Sequence, residues 1–587
     1  MGDNEEENNV GVYAIGRRKR EMDLKKENEI IIEILEKWAD EKGEKTFLFY
    51  GEENLKFTFR EFNQLANSIG HNLTAMGIEK GDRVSLFLKN PLIIALSMFG
   101  IWKTGAVYCP INFNYKGRLL SYQINDTQPK LLITERGLLP IVNDIAGDIP
   151  SLKVVVHSPK ESDHDYDSNT AKIALNKNHK EYPFKDFMKG DVSNIGTDLR
   201  YMDTANIIYT SGTTGPAKGV VESYRWMNNY LFNWRRFFNE EDVIYNDLPL
   251  YHVGGAFFNL VRAAWVGCQA ALWDRFSSKD FWKRINVSGA TSAVLLDVMI
   301  PYLMSAEETP DDYKNTLNKV YMQPLPQYHN QVAKRFGFDF VVSGFGQTET
   351  GHGHICIINE LKEGGTPSDL YKGYSKEEIV EIAKKYNIAI VDGKKKLKKG
   401  FMGKPSALFE AAILNENDEE CPPGEVGELV FRPKFPYVLH NEYFGKPEAT
   451  VKSFRNLWFH TGDACEKDEE GYYYFVDRMG GVIRVRGELV SSYQVEDIIN
   501  SYPKVDVCAA LPIPSEIGDE DDIAVFIVPK SGEELQEKEI RDWAKGEMPK
   551  FMWPKYIRFI DDLPRTPTSK VEKYKLREKI KEEMEKG

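Results

Sequence analysis

The chain has 587 residues, of which 42% are apolar, 28% charged and 12% aromatic, a profile that excludes a wholly disordered, collagenous or low-complexity protein. Lysine and arginine number 76 against 89 aspartate and glutamate, a net charge of −13, which argues against a general nucleic-acid binder but allows a local anion pocket. The six cysteines (Cys109, Cys268, Cys356, Cys421, Cys465, Cys508) are scattered and form no C-x-x-C pair, so neither a disulfide framework nor a zinc ribbon is expected. A reducing, cytoplasmic setting is the natural reading.

Length alone predicts about three to five domains. Residues 1–27 read as an extension, acidic first and then basic at Arg17–Arg20, without the apolar stretch of a secretory leader. Thr46–Tyr50 reads as a strand, and Arg60–Met76 has helical spacing of Phe62, Leu65, Ile69 and Leu73. Arg83–Leu88 reads as a buried strand, Asn90–Trp102 as a buried core helix, and Val107–Pro110, Lys130–Thr134 and Lys153–His157 as further strands. Leu248–Val261 reads as core plus a Gly-rich turn; like 90–102, it is shorter than the roughly 20 residues a membrane span needs.

Lys160–Lys185 is polar and predicted to be a surface loop. Leu361–Lys399 reads as a charged, solvated insertion with one helical piece (Ser375–Tyr386) and a basic run ending at Lys399. Beyond a boundary near Met479-Gly480-Gly481, extended segments at 482–490, 507–511 and 523–528 and a helix at 494–501 predict a compact α+β unit. The fold class expected is α/β: a large multi-subdomain N-terminal α/β domain over 28–479 and a small, mobile α+β C-terminal domain over 480–587.

The most informative stretch is Ile207-Ile-Tyr-Thr210-Ser211-Gly212-Thr213-Thr214-Gly215-Pro-Ala-Lys218-Gly-Val220. A short apolar strand enters a loop of hydroxyls and glycines with one lysine. Glycines let backbone N–H groups surround a phosphate, the hydroxyls add donors, and Lys218 adds positive charge. It is not a Walker A loop, because Ala217 stands where the second Gly must be and Gly219 where Ser or Thr must be.

The whole string resembles the phosphate-binding signature of the acyl-adenylate-forming superfamily. Further stretches in matching order extend the resemblance over about residues 28 to 580: Gly344-Phe345-Gly346-Gln347-Thr348-Glu349, Trp458-Phe-His-Thr-Gly-Asp463, Val476-Asp-Arg478 with Arg486-Gly487-Glu488, and Pro564-Arg-Thr-Pro-Thr-Ser-Lys570. Ser211–Lys218, Tyr473–Arg478, Ser491–Glu496 and Phe551–Tyr556 are most similar to the crotonobetaine/carnitine-CoA ligase branch.

The resemblance implies an ATP-dependent carboxylate-CoA ligase. Its substrates would be Mg-ATP, CoA and a small or medium acid of carnitine, crotonobetaine or fatty type. It implies that Thr210 to Gly215 and Lys218 hold the β- and γ-phosphates, and that Thr348 touches the α-phosphate. Glu349 would help hold Mg²⁺. Asp463 and Arg478 would contact the ribose, and Phe345, in the Gly346-Gln347 motif, would lie against adenine. Lys570 would bridge the carboxylate and the α-phosphate. His252 would gate the acyl pocket, and the strand at Gly487 would line the CoA tunnel, with Arg484 and Arg486 near CoA phosphates.

The sequence departs from the pattern at several points. Gly480-Gly481 occupies the hinge, which predicts an unusually permissive joint. Met322-Gln323-Pro324 and Ser343 stand where other residues usually meet adenine. His352 and His354 read as polar pocket wall or plain loop rather than a metal pair. Two other readings stay open: transfer of the acyl group to a separate carrier protein, and a nucleotide- or acyl-binding regulator without catalysis. No nucleic acid and no transmembrane segment are expected, and an oligomer is left open.

Overall fold

The computed structural model describes residues 30–210, 217–485, 488–515, 521–548, 550–565 and 570–586. The expectations placed on residues 1–27, on Ser211 to Gly215 and on Arg486 and Gly487 lie outside the described residues, as does the side chain of Arg484.

Two large sheets carry most of the chain up to Arg478. The first pairs Arg83–Phe87, Val107–Pro110, Leu131–Glu135, Lys153–His157, Lys180–Pro183 and Thr204–Tyr209 in parallel. Gly219–Ser223 then runs antiparallel to Thr204–Tyr209, and the two-residue strand Glu442–Tyr443 closes that edge. The second sheet begins with parallel strands, among them Gln269–Leu272, Ser292–Leu296, Lys319–Gln323 and Phe340–Gln347. From Gly351–Asn359 onward its main path is antiparallel, through Phe401–Pro405, Tyr473–Arg478, Phe459–Lys467, Gly427–Pro433 and Phe409–Leu414. The turn at 348–350 therefore sits where the sheet changes sense.

Local sequence explains the elements around this frame. Thr58 caps the helix Phe59–Ala75 reciprocally with Glu61, and the helix buries Phe62, Ala66, Ile69 and Leu73 at helical spacing. Asn90 Oδ1 accepts from the N–H groups of Leu92 (3.0 Å) and Ile93 (3.2 Å), starting Pro91–Lys103. Every residue of that helix is buried, and all but Ser97 and Lys103 are apolar.

Three segments depart from the sequence expectation. Leu248–Val261 does not end in a turn: Gly254–Val261 is a π-helix, buried from Gly255 onward. Residues 160–185 are more than loop, since Lys180–Pro183 joins the first sheet and Phe184–Phe187 is a helical turn burying both phenylalanines. Its polar part is anchored through His164, whose Nδ1 lies 2.9 Å from Glu53 and whose Nε2 lies 2.8 Å from Asp274. Burial lowers the His164 pKa, but the bonds to Asp274 and Glu53 prevail and raise it to about 9.

The third departure is 361–399, which is built into the molecule rather than solvated. Ser375 and Glu378 form a capping box on the helix Lys376–Lys385, which buries Ile379 and Ala383 in the main core. Arg236 lies over the Tyr386 ring at 3.8 Å, Lys376 pairs with buried Asp339 at 2.5 Å, and Ala389–Asp392 adds a strand beside Gly351–Asn359. The basic run finds acidic partners: Lys395 reaches Glu470 at 2.8 Å, Lys398 pairs with Glu466, and Lys399 pairs with Asp497 across the domain boundary.

The C-terminal unit is α+β, as expected. A hairpin (Val482–Val485 with Glu488–Ser491), the helix Ser492–Asn500 and the strands Val505–Pro514, Asp521–Pro529 and Tyr556–Phe559 surround a separate core containing Ile483, Val495, Ile499, Val525 and Ile540. The joint is less permissive than two glycines predict. Neither Gly480 nor Gly481 has a positive φ, and a Cβ on Gly481 would lie 2.5 Å from Asp477 Oδ1. Asp477 Oδ2 accepts from Ser492 N (2.8 Å), Ser492 Oγ (2.7 Å) and Ser491 Oγ (3.1 Å), tying the hairpin to the large domain.

Candidate active site

The stem of the Gly/Ser/Thr loop is the end of the hairpin between Thr204–Tyr209 and Gly219–Ser223. Thr210 N–H donates to Lys218 O at 3.0 Å and closes it. The helix Gly117–Thr127 braces the stem: Tyr122 OH donates to Ala217 O (2.9 Å), and Tyr209 OH donates to Asp126 (2.8 Å), which also holds Lys446 (2.6 Å). Lys218 Nζ stands 4.3 Å from the Tyr443 ring centre. Tyr443 OH in turn donates to Glu349 Oε1 at 3.0 Å, so one tyrosine links the first sheet's lysine to the second sheet's carboxylate. His440 N–H donates to Glu349 O at 2.9 Å and fixes the same turn.

Thr348 and Glu349 are half-buried in the turn 348–350. Asn229 clamps the turn from below, donating to Thr350 O (3.1 Å) and Val438 O (2.7 Å). Among the described residues only Tyr443 bonds the Glu349 carboxylate, so a hard oxygen donor stays available beside Lys218. That donor chemistry fits a magnesium ion shared with phosphate oxygens.

Two positions downstream of the loop motif form a pair across the sheet. Asp463 and Arg478 face each other in register, and Arg478 Nη1 lies 2.7 Å from Asp463 Oδ1. Gln347 Nε2 donates to Asp463 Oδ2 (2.5 Å) and to Thr461 O (3.1 Å). Asp463 is fully buried, and burial pushes its carboxyl up to about 6 despite the lowering effects of Arg478 and Gln347. A carboxylate held ionised at that cost is one that gains from further donors, such as sugar hydroxyls. Phe345 is buried, its ring stacked on Phe431 at 6.1 Å and edge-on to His354 at 6.0 Å. Gly346 follows it in a register shift between the two strands.

Lys570 comes from the small domain yet belongs electrostatically to this cleft. Burial lowers its pKa first, then the Arg478 charge, against the raising effects of Asp463 and Glu349. His252 lies within reach of the same ammonium: burial and then Lys570 push it down to about 4, so it is neutral near pH 7. Both residues nonetheless keep exposed surface. Lys570, Arg478, Asp463, Glu349 and His252 thus come from five separate stretches into one electrostatically coupled group.

Other expectations resolve differently. Ser343 is buried and donates to Phe401 O at 2.7 Å, so it serves the sheet rather than a ligand. His352 and His354 lie on a buried strand and are both held down to about 3, chiefly by burial. Among the described residues the one cluster with metal-ligand spacing is Glu53, His164 and Asp165, far from this site in the chain; its His164 is committed to Glu53 and Asp274, and Asp165 accepts from Asn90. Tyr443, His440 and Asp126 escaped the sequence reading. Each acts through a contact between residues remote in the chain, and none sits in a motif; the sole local hint is the aromatic density of 435–444.

The family model for "AMP-binding enzyme" matches residues 35–436, and that for "AMP-binding enzyme C-terminal domain" matches residues 494–570. A crotonobetaine/carnitine–CoA ligase of Proteus mirabilis is 29% identical over 528 residues, covering 88% of this chain and 92% of that protein. Its counterpart in Salmonella arizonae is 29% identical, covering 89% and 93%. Among solved structures, an anthranilate CoA ligase with anthranoyl-AMP superposes with a TM-score of 0.70 at 22% identity, over 93% of this chain and 96% of that one. ATP-bound MatB from Rhodopseudomonas palustris gives 0.70 at 21% identity, over 93% and 98%.

Proposed function

The chain belongs to the AMP-binding enzyme family, and on that premise we propose that it joins a small or medium carboxylic acid to coenzyme A through an acyl-adenylate. The carboxylate oxygen attacks the α-phosphorus of ATP, the bond to the bridging oxygen breaks, and pyrophosphate leaves. The CoA thiolate then attacks the acyl carbon and AMP departs. The observation that carries this reading is that the Lys570 ammonium, from the small domain, lies within electrostatic range of Arg478, Asp463 and Glu349 of the large one. Pure nucleotide binding has no use for a mobile ammonium there. A step that brings two anions together does, because the barrier falls where fixed positive charge meets developing negative charge.

Within that reaction Lys570 draws the carboxylate to the α-phosphate, and Lys218 with the loop it closes receives the leaving pyrophosphate. Asp463 and Arg478 hold the ribose, and Thr348 orients the α-phosphate. Glu349 is the residue to hold Mg²⁺, which when bound neutralises phosphate charge. His252, kept neutral beside Lys570, leaves that ammonium as the cation that meets the incoming carboxylate, and stands at the edge of the acyl site. The crotonobetaine and carnitine ligases named above support an acid of that size, with fatty acids as the neighbouring class.

The test is carboxylate-dependent pyrophosphate release with Mg-ATP over a panel of carnitine, crotonobetaine, straight-chain and aromatic acids, with and without CoA. Release should occur with at least one acid, rise with CoA, and fall by about 10²- to 10³-fold in Lys570→Ala. Release that CoA leaves unchanged would favour a carrier protein as acceptor. ATP binding without release on any acid would favour a regulator.

A further inference from the structure

We propose that a tyrosine–histidine plug limits the acid to a short chain; the proposal rests on the ligase reading above and narrows its substrate class. The reacting carboxylate must lie near Lys570 and Thr348, beside His252. From His252 the chain runs into the π-helix Gly254–Val261, and from Thr348 it runs through Gly351 into the strand that carries His352. These two continuations meet in one aromatic box. The Phe258 ring lies 4.8 Å from Tyr321, 5.5 Å from His352 and 5.8 Å from Tyr230.

The box is full and locked. Tyr230, Phe258, Tyr321 and His352 are exposed by 8%, 4%, 2% and 3%. Tyr321 OH and His352 Nε2 are 3.0 Å apart and hydrogen-bonded across its centre. The wall behind is equally close: a Cβ on Gly344 would lie 2.6 Å from His352 Nε2 and 2.9 Å from Tyr321 OH. An alkyl tail growing inward from the carboxylate meets this pair. To pass, it must displace packed rings and break the bond, leaving two polar groups unpaired against hydrocarbon. His352 Nδ1 already has no partner among the described residues, which makes an apolar tail a poorer neighbour still. A short acid leaves the plug intact.

The experiment compares kcat/KM for pyrophosphate release from acetate to decanoate in the full chain, Tyr321→Gly, Tyr321→Phe and His352→Ala. Binding of unreactive acyl-sulfamoyl-adenosines of matching length runs in parallel. The unaltered protein should favour butyrate over octanoate by about 100-fold, and Tyr321→Gly should raise the octanoate-to-butyrate ratio by about 10-fold or more. Tyr321→Phe, which keeps the volume, should leave that ratio within about 3-fold. Equal handling of octanoate and butyrate by the unaltered protein, or an unmoved ratio in a folded Tyr321→Gly, would overturn the plug. If Tyr321→Gly does not fold, the binding series on the unaltered protein decides. If no acid is turned over, on this series or on the wider panel above, yet the butyryl analogue binds at least about 10-fold tighter than the octanoyl one, the ligase reading fails and the size limit stands.

Discussion

Asp463 and Asp477 sit on adjacent strands of one sheet, and both are buried, at 0% and 1% exposure. Their partners differ in kind. Asp477 accepts from Arg478 N–H, both serine hydroxyls and Ser492 N–H, so it is saturated by the joint between the domains. Asp463 has one guanidinium and one amide, and burial still pushes its carboxyl up to about 6. One acid is spent on holding the fold; the other keeps room for further donors, as the proposed ribose contact would supply. Burial alone does not distinguish them; the supply of donors does.

The largest break in this comparison should come from removing the underserved acid. Asp463→Ala should weaken ATP binding by about 10- to 100-fold, read by calorimetry, because a charged acceptor for two hydroxyls is lost. pH should sharpen the same point. The folded-state pKa lies above the ordinary 3.8, so the folded protein takes up a proton and the unliganded chain loses stability as pH rises from about 4 to about 6. ATP needs the ionised form, so its affinity should tighten by about 3- to 10-fold between pH 5 and 7, and Asp463→Asn should flatten that profile.

Removing the saturated acid should act on stability instead. Asp477→Ala leaves buried serine and amide donors unpaired and should cost about 1–3 kcal/mol in denaturant unfolding, with ATP affinity altered far less than in Asp463→Ala. The smallest expected effect separates the two hinge glycines. Gly481→Ala drives a methyl into Asp477 and should cost about 1–2 kcal/mol. Gly480→Ala, whose Cβ meets nothing within 4 Å, should stay within about 0.5 kcal/mol. Equal costs for the two would dissolve the distinction.

Much of this was legible in the residues. Alternating apolar strands and spaced helices gave the α/β class, because periodicity is a local signal; the separate C-terminal core starts at Ile483. The positions Lys218, Glu349, Asp463, Arg478 and Lys570 came from ordered motifs, and the structure gathers them. What sequence could not carry was partnership. The charged stretch 361–399 looked solvated because its lysines dominate the composition, yet Ile379, Ala383 and Tyr386 are enough to seat it on the core. Gly480-Gly481 looked loose because a glycine pair says nothing about an aspartate three to four residues back that fills the space. Tyr443 was invisible because its role exists only where two sheets meet.

The ion pair from Lys399 to Asp497 joins the basic run of the large domain to the first helix of the small one, with both side chains open to water, at 61% and 60% exposure. A tether of that kind weakens as counter-ions crowd it, since charges in water lose sight of each other beyond about 10 Å at 0.1 M salt. This tie between the domains is therefore the salt-sensitive one, beside the buried Asp477 bonds that salt does not reach, and Lys570 belongs to the domain it holds. Salt should loosen one tie between the basic run and the small domain that carries Lys570.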